Sequence, residues 1–224
     1  MKIVQILMFL LPFILFGQEN DLKIEIINDT IKKVSYYDDC NIVYTITNKS
    51  NKDYLLILDN NEFNEADYEE VEDLFLGLPD YYLFEDNKIL EPSFNVFHNG
   101  TNKIFDIDQD FVSFQSFSKE FETIYDDYEL IRAFRISKKI VKIKSGEMKV
   151  YSTKVNFPLY KVRSFQMENN KKYYFQVSLN NPIQLSKKYT EKILGVEKMQ
   201  FSIFSGRIKS NKVPLIYKVY NGPK

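Results

Sequence analysis

Two stretches near opposite ends of the chain alternate apolar and polar residues with a period of two, and they constrain the fold more than any other feature. In Asn41–Asn48, Ile42, Tyr44 and Ile46 point one way while Thr45 and Thr47 point the other; in Lys172–Asn180, Phe175, Val177 and Leu179 share one side. Successive side chains of a pleated strand take opposite faces, so each stretch predicts a strand with one buried face. Leu22–Asn28, Tyr54–Leu58, Gln200–Lys209 and Val213–Tyr220 read as further strands, with Val213, Leu215, Tyr217 and Val219 inward in the last. Lys139–Lys144 and Glu147–Phe157, separated by Ser145-Gly146, predict a hairpin. Short alternating strands without a βαβ rhythm predict a mainly β chain of antiparallel sheets packed as a sandwich.

Between these groups, residues 59–137 read as an inserted α+β segment. Asn64–Leu76 places Val71, Leu74 and Phe75 at helical spacing, with Gly77 and Pro79 to stop the helix. Ser93–Ile107 predicts a hairpin closed near Asn99-Gly100, a dipeptide that takes positive φ angles readily. The strongest helical pattern runs from Ser118 to Ile136, with Phe117, Phe121, Ile124, Tyr128 and Ile131 on one side. Ser118 is its expected cap. Acidic residues near its start and Arg132 and Arg135 near its end suit the helix dipole. A shorter helix is expected over Thr190–Lys198, weakened by Gly195.

The start of the chain addresses location. Lys2 precedes an apolar run from Ile6 to Phe16, and Gly17 supplies the small residue of a signal-peptidase site. The run is shorter than the roughly 20 residues of a spanning helix, and no second candidate follows. Residues 1–17 therefore read as a signal peptide, and 18–224 as one exported domain without a transmembrane segment. Its strands come from 18–58 and 138–224, around the insertion at 59–137. With a single cysteine, Cys40, no intrachain disulfide is available, and stability must come from apolar burial.

Charge is segregated along the chain although the net charge is −1. Residues 59–130 hold 20 acidic and 3 basic side chains, whereas 131–224 hold 4 acidic and 21 basic. Such blocks either mark a charged interaction surface or face one another in the fold; mutual neutralisation is the expectation. The 19 Phe and 16 Tyr raise the idea of a carbohydrate-stacking surface, but core filling accounts for most of them.

The segment from Lys33 to Leu58, with Asn48-Lys49-Ser50 after its Tyr-x-Ile strand, resembles the opening strands of small immunoglobulin-like domains in exported bacterial proteins. Lys144-Ser145-Gly146-Glu147 is similar to a turn of such domains, and Phe204–Val213 to their last strands. In physical terms Gly146 allows a tight turn, Gly206 suits a bulge, and Ser210-Asn211 can bend the chain. With the signal ending Phe16-Gly17-Gln18, the chain resembles secreted proteins of the Bacteroidota of uncharacterised function. The resemblance implies an antiparallel immunoglobulin-like β-sandwich but no particular chemistry. The Cys, Trp and Cys pin of antibody domains is missing, since the chain has no tryptophan.

Catalytic signals are sparse. His98 is the only histidine, beside Asn99-Gly100, with no nucleophile motif near it. Cys40 lacks positive neighbours in sequence of the kind that activate a thiol. Asp106, Asp108 and Asp110 alternate like the opening of a calcium loop and are the candidate metal ligands. Phe111 stands where an EF-hand needs glycine, and Phe117 where it needs a bidentate Glu. No phosphate-binding loop, zinc spacing or nucleic-acid module is present, and no cofactor is expected. The expected function is an exported, non-catalytic binding protein whose scaffold presents the insertion and nearby loops to a protein or glycan. A proteinase-inhibitor-like module is the alternative, and a carboxylate-dependent hydrolase the third reading.

Overall fold

The alternating stretches at both ends are strands that share one apolar core. The computed structural model describes residues 21–64, 76–94, 107–160, 163–195 and 200–219. The signal segment, most of the expected helix over 64–76, and the loop carrying His98, Asn99 and Gly100 lie outside the described residues. Strands β1 (Leu22–Ile26), β3 (Cys40–Asn48) and β9 (Met148–Val155) form an antiparallel sheet in the order β1-β3-β9. A second, six-stranded sheet runs β2 (Ile31–Lys33), β15 (Val213–Tyr217), β12 (Tyr173–Asn181), β5 (Asp80–Glu85), β6 (Lys88–Ile89), with β14 (Gly206–Lys209) also paired to β12. Ile24, Ile42, Tyr44 and Ile46 from the first sheet and Leu83, Phe175, Val177 and Leu179 from the second are at most 1% exposed. They belong to one cluster, in which the Tyr81 and Phe175 rings stack 5.5 Å apart.

The sheets are not purely antiparallel. β2 runs parallel to β15, and β4 (Tyr54–Ile57) runs parallel to β13 (Ser202–Ile203). The expected strand over 200–209 is therefore divided between two sheets, β13 in one and β14 in the other. Three short strands, β7 (Ser93–Phe94), β10 (Leu159–Tyr160) and β11 (Arg163–Ser164), make a small antiparallel sheet of their own in the order β10-β11-β7.

The expected hairpin around Ser145-Gly146 is a corner instead. β8 (Ile140–Ile143) pairs with β4, whereas β9 pairs with β3, so the two ladders are arms of one ribbon bent at 49–53 and at 144–147. Asn48, fully buried, fixes the first bend. Its Nδ2 donates to the Lys52 carbonyl at 2.7 Å and to the Ile143 carbonyl at 3.1 Å, while its Oδ1 accepts from the Ser50 amide at 3.0 Å. The second bend uses Gly146 at φ +74° and is tied to the first by the Ser145 amide, which donates to Asp53 Oδ1 at 2.7 Å. Because both strands turn at the same level, the ladder continues in a new plane and redirects β4 and β8 into a third sheet.

A bulge joins the layers elsewhere. Two residues of β12, Gln176 and Val177, lie opposite three, Ser210 to Lys212, between β14 and β15. The Ser210 hydroxyl caps the gap by accepting from the Val177 amide at 2.9 Å. The extra residue pushes Asn211 toward β1, where its side chain accepts from the Ile26 amide at 2.8 Å and donates to the Ile26 carbonyl at 3.2 Å. It thus acts as a one-residue strand partner for the β1 edge.

The helices cover the outer side of the third sheet. In place of one helix over 118–136 there are two, α1 (Ile107–Phe121) and α2 (Asp127–Ser137). Asp126 interrupts the run because its side chain caps α2, accepting from the Glu129 amide at 2.8 Å. Ser118, the expected cap, sits within α1. The break folds α1 against α2, with the Phe114 and Phe117 rings 5.3 and 5.4 Å from that of Phe134. The buried face also differs from expectation: Leu130, Ala133, Phe134 and Ile136 point inward, and Tyr128 is 65% exposed. α3 (Ile183–Leu194) starts earlier than predicted and stops at Gly195, φ +72°.

Ile57 of β4 packs with Leu76, Phe121, Tyr125, Leu130, Ala133, Ile136 and Tyr189 in a second cluster. Since Tyr54 and Leu56 belong to the first cluster, β4 is buried on both faces, which explains its unbroken apolar run. Gly77 crosses closely here; at its φ of +87° a Cβ would fall 2.8 Å from Ile57 Cγ2. Among the described residues no helix is long and apolar enough to cross a membrane.

Candidate functional site

The residues singled out by chemistry do not converge. Cys40 opens β3 and is buried; its Sγ donates weakly to the Lys32 carbonyl at 3.5 Å. Burial pushes its thiol up to about 11 and so keeps it protonated at neutral pH, although the nearby Lys33 ammonium pulls the other way. Lys33 is itself 1% exposed. Its Nζ donates to the Asp38 carbonyl and to Asn156 Oδ1, the latter at 2.7 Å, so it pins β2 to the end of β9. Burial lowers its pKa, against the carboxylates of Asp38 and Asp39. Asp108 and Asp110 fall in the backbone of helix α1, which corrects the reading of a calcium-like loop or strand edge; Asp106 lies outside the described residues. Among the described residues no three His, Cys, Asp or Glu side chains gather as a metal site.

A different site emerges on the outer face of the six-stranded sheet. Alternation places Tyr174 and Gln176 of β12 opposite in direction to the buried Phe175 and Val177. Strand register extends this outer set sideways. Ile89 lies opposite Phe84, Phe84 opposite Tyr174, and Tyr174 opposite Pro214, so one row of apolar and aromatic side chains crosses β6, β5, β12 and β15. Tyr82, opposite Gln176, begins the next row. Ile89 is 51% exposed and Ile216, further along β15, 39%. Tyr82 and Tyr174 are half-buried, whereas Phe84 is covered.

What covers Phe84 is a lysine. Lys212 Nζ lies 3.5 Å from the centre of its ring, and Lys209 Nζ lies 5.8 Å from that of Tyr82. Both lysines stand on the β14–β15 side of β12 and both rings on β5, so their aliphatic stems pass over β12 with the ammonium groups outward. Lys32 and Arg207 add two more exposed cations on the same side. Each ammonium-on-ring contact at such an exposed position is worth about 0.5–1 kcal/mol, little enough for a ligand to displace it. Asp80, the carboxylate on this side of β5, accepts from Asn64 Nδ2 at 2.9 Å. Ring area beside exposed ammonium groups offers a ligand both stacking and charge contacts.

Opposite charge blocks do meet away from this face. Asp59 pairs with Lys139 at 3.3 Å, Glu85 with Lys171 at 2.9 Å and Glu129 with Lys188 at 2.7 Å, each joining the acidic block to the basic one. Lys209 of β14 and Lys212 of the bulge instead lie over aromatic rings.

Sequence reasoning missed half of this face. β5 and β6 fall within 59–137, where acidity obscured them; moreover, Tyr81, Tyr82, Leu83 and Phe84 are apolar on both sides, so alternation gave no signal. The aromatic pairs on successive positions were the available clue. No known family model matches this chain, and no curated protein matches it.

Proposed function

We propose that the protein is an exported, non-catalytic binding protein in which an immunoglobulin-like β-sandwich presents the outer face of its six-stranded sheet to a protein or glycan. Strand order supports the scaffold. β1-β3-β9 packed on β2-β15-β12-β5-β6 follows the A-B-E and A′-G-F-C-C′ arrangement of variable-type domains, with 54–76 and 93–143 inserted between strands. The Tyr81 ring on β5, stacked on Phe175 of β12, stands where such domains pack a strand-C tryptophan on their disulfide. The observation that carries the binding role is the row Ile89, Phe84, Tyr174 and Pro214, with Lys212 over Phe84 and Lys209 over Tyr82 in the next row. The interaction surface therefore moves from the insertion's loops to a sheet built jointly by the insertion and the basic C-terminal strands.

Cation-exchange retention at low salt tests the exposed face. A triple Lys32→Gln, Lys209→Gln, Lys212→Gln variant is expected to elute at lower salt than a Lys49→Gln, Lys52→Gln, Lys144→Gln control of equal net charge. Equal elution of the two removes the reading. For export, intact mass of the secreted protein should correspond to a chain starting at Gln18; a retained Met1 counts against it.

A further inference from the structure

We propose that the outer face of the six-stranded sheet binds an acidic polysaccharide, its sugar rings lying on Tyr174, Tyr82 and Phe84 and its carboxylates or sulfates taking the ammonium groups of Lys209 and Lys212. The inference rests on the binding role assigned to this face above and names the class of ligand. Three observations select it.

The face is crossed by a row of side chains from four strands, in which Ile89 and Pro214 are exposed and Tyr174 half-buried. Neighbouring strands lie about 4.8 Å apart, so the row offers a succession of contacts to an extended chain rather than a pocket for a small molecule. The rings are interleaved with cations, because the lysine stems pass over the middle of the face. Cores of protein–protein interfaces are depleted in lysine and enriched in closely packed apolar area, so a protein partner would have to desolvate ammonium groups at the centre of its contact. A polyanion meets them as counter-charges.

The third observation is the state of Phe84. Its ring is 5% exposed with Lys212 Nζ above it at 3.5 Å. An arriving anionic group draws that ammonium outward and uncovers the ring for the apolar face of a sugar. One movement thus makes the ion pair and opens the stacking surface. The bulge at Ser210 to Lys212 matters here, since it supplies the extra residue between the paired positions Lys209 and Val213 that carries Lys212. Single-stranded nucleic acid combines the same forces, charge and stacking; the proposed export of the chain favours the glycan.

Affinity electrophoresis of the chain beginning at Gln18 decides the matter, using polygalacturonate, neutral dextran, poly-glutamate and poly(dT) as separate probes. Retardation by polygalacturonate and not by dextran is expected. Tyr174→Ala and Lys212→Gln should each weaken it about tenfold, the scale of one lost ring or ion contact. Tyr128→Ala, on α2, should leave it unchanged. Lys209→Gln, on an exposed side chain, keeps the test valid if Tyr174→Ala fails to fold. Failure of polygalacturonate to retard the protein overturns the glycan assignment. If poly-glutamate or poly(dT) retards it with the same sensitivity to Lys212→Gln, the binding face stands and only the ligand class falls. Retardation indifferent to every variant removes both.

Discussion

β12 and β4 are both interior strands, yet they are buried in different ways. β12, Tyr-Tyr-Phe-Gln-Val-Ser-Leu-Asn-Asn, alternates over its first half, with one face in the core and the other carrying half-buried Tyr174 and Gln176, while Ser178 further along the outer face is covered. β4 reads Tyr-Leu-Leu-Ile and is buried at every position, between the sheet core and the helices. The difference teaches where recognition is available. A sheet face already used to seat helices has no area left for a ligand, whereas an alternating strand leaves one face open. The helical layer is therefore part of the support, and the candidate site lies on the other sheet.

The largest effect separates the two faces of β12. Val177→Asp places a charge in the shared core and should cost about 4 kcal/mol or prevent folding, while Gln176→Ala on the outer side loses only the bond its Nε2 donates to the Ser210 carbonyl at 2.7 Å and should cost about 1 kcal/mol. Urea denaturation of both compares them directly. Similar losses would show that the outer face is not open.

Next in size is β4. Ile57→Ala removes a side chain 1% exposed and packed against the helical cluster, and should cost about 2–4 kcal/mol. Ile216→Ala, at 39% exposure on the open face, should cost less than about 1 kcal/mol. Thermal or urea melts that rank these two in reverse order would break the contrast between covered and open strands.

Alkaline pH distinguishes the two clusters more gently. Burial, with Tyr189 and Glu129 adding to it, pushes the Tyr125 hydroxyl up to about 12; burial and Glu147 do the same for Tyr151, also about 12. Both hydroxyls are buried without a hydrogen-bond partner among the described residues. Each folded pKa exceeds the unfolded value near 10, so the stabilisation is complete below about pH 10 and is lost as pH rises toward 12. Tyr125→Phe should flatten that loss on the helical side and Tyr151→Phe on the sheet side. Denaturation midpoints between about pH 9 and 12 measure it; an unchanged slope in both variants would place the alkaline transition elsewhere.

The smallest effect concerns the charge blocks. Lys188→Gln breaks the partly exposed pair with Glu129 and should cost about 0–1 kcal/mol at low salt, with the cost shrinking as salt is added. A loss that grows with salt would indicate that the pair does not stabilise the fold by attraction across blocks.

Much of the β framework is legible in the order of residues alone, because an alternating stretch states both that it is a strand and which side is buried. Ile42, Tyr44, Ile46, Phe175, Val177 and Leu179 all lie in the core, each 0% exposed. Legibility fails where more than one neighbour acts on the same residues. β5 carries apolar residues on both faces, which hides its period; the helical run around Tyr125 is divided because Asp126 favours capping a new helix over continuing the old one. The candidate face is illegible for the same reason, since its row is assembled from four strands far apart in the chain.

By itself, then, the sequence determined local geometry: strand periods, the bends at Asn48 and Gly146, and the bend at Ser210-Asn211 that becomes the bulge. Side chains within a few residues settle these through backbone angles and short hydrogen bonds. Only the tertiary structure decided which strands pair, that 139–157 turns a corner rather than a hairpin, and that Lys212 comes to rest on Phe84. Those outcomes depend on contacts between segments distant in sequence, whose free energy exists only once the sheets have packed.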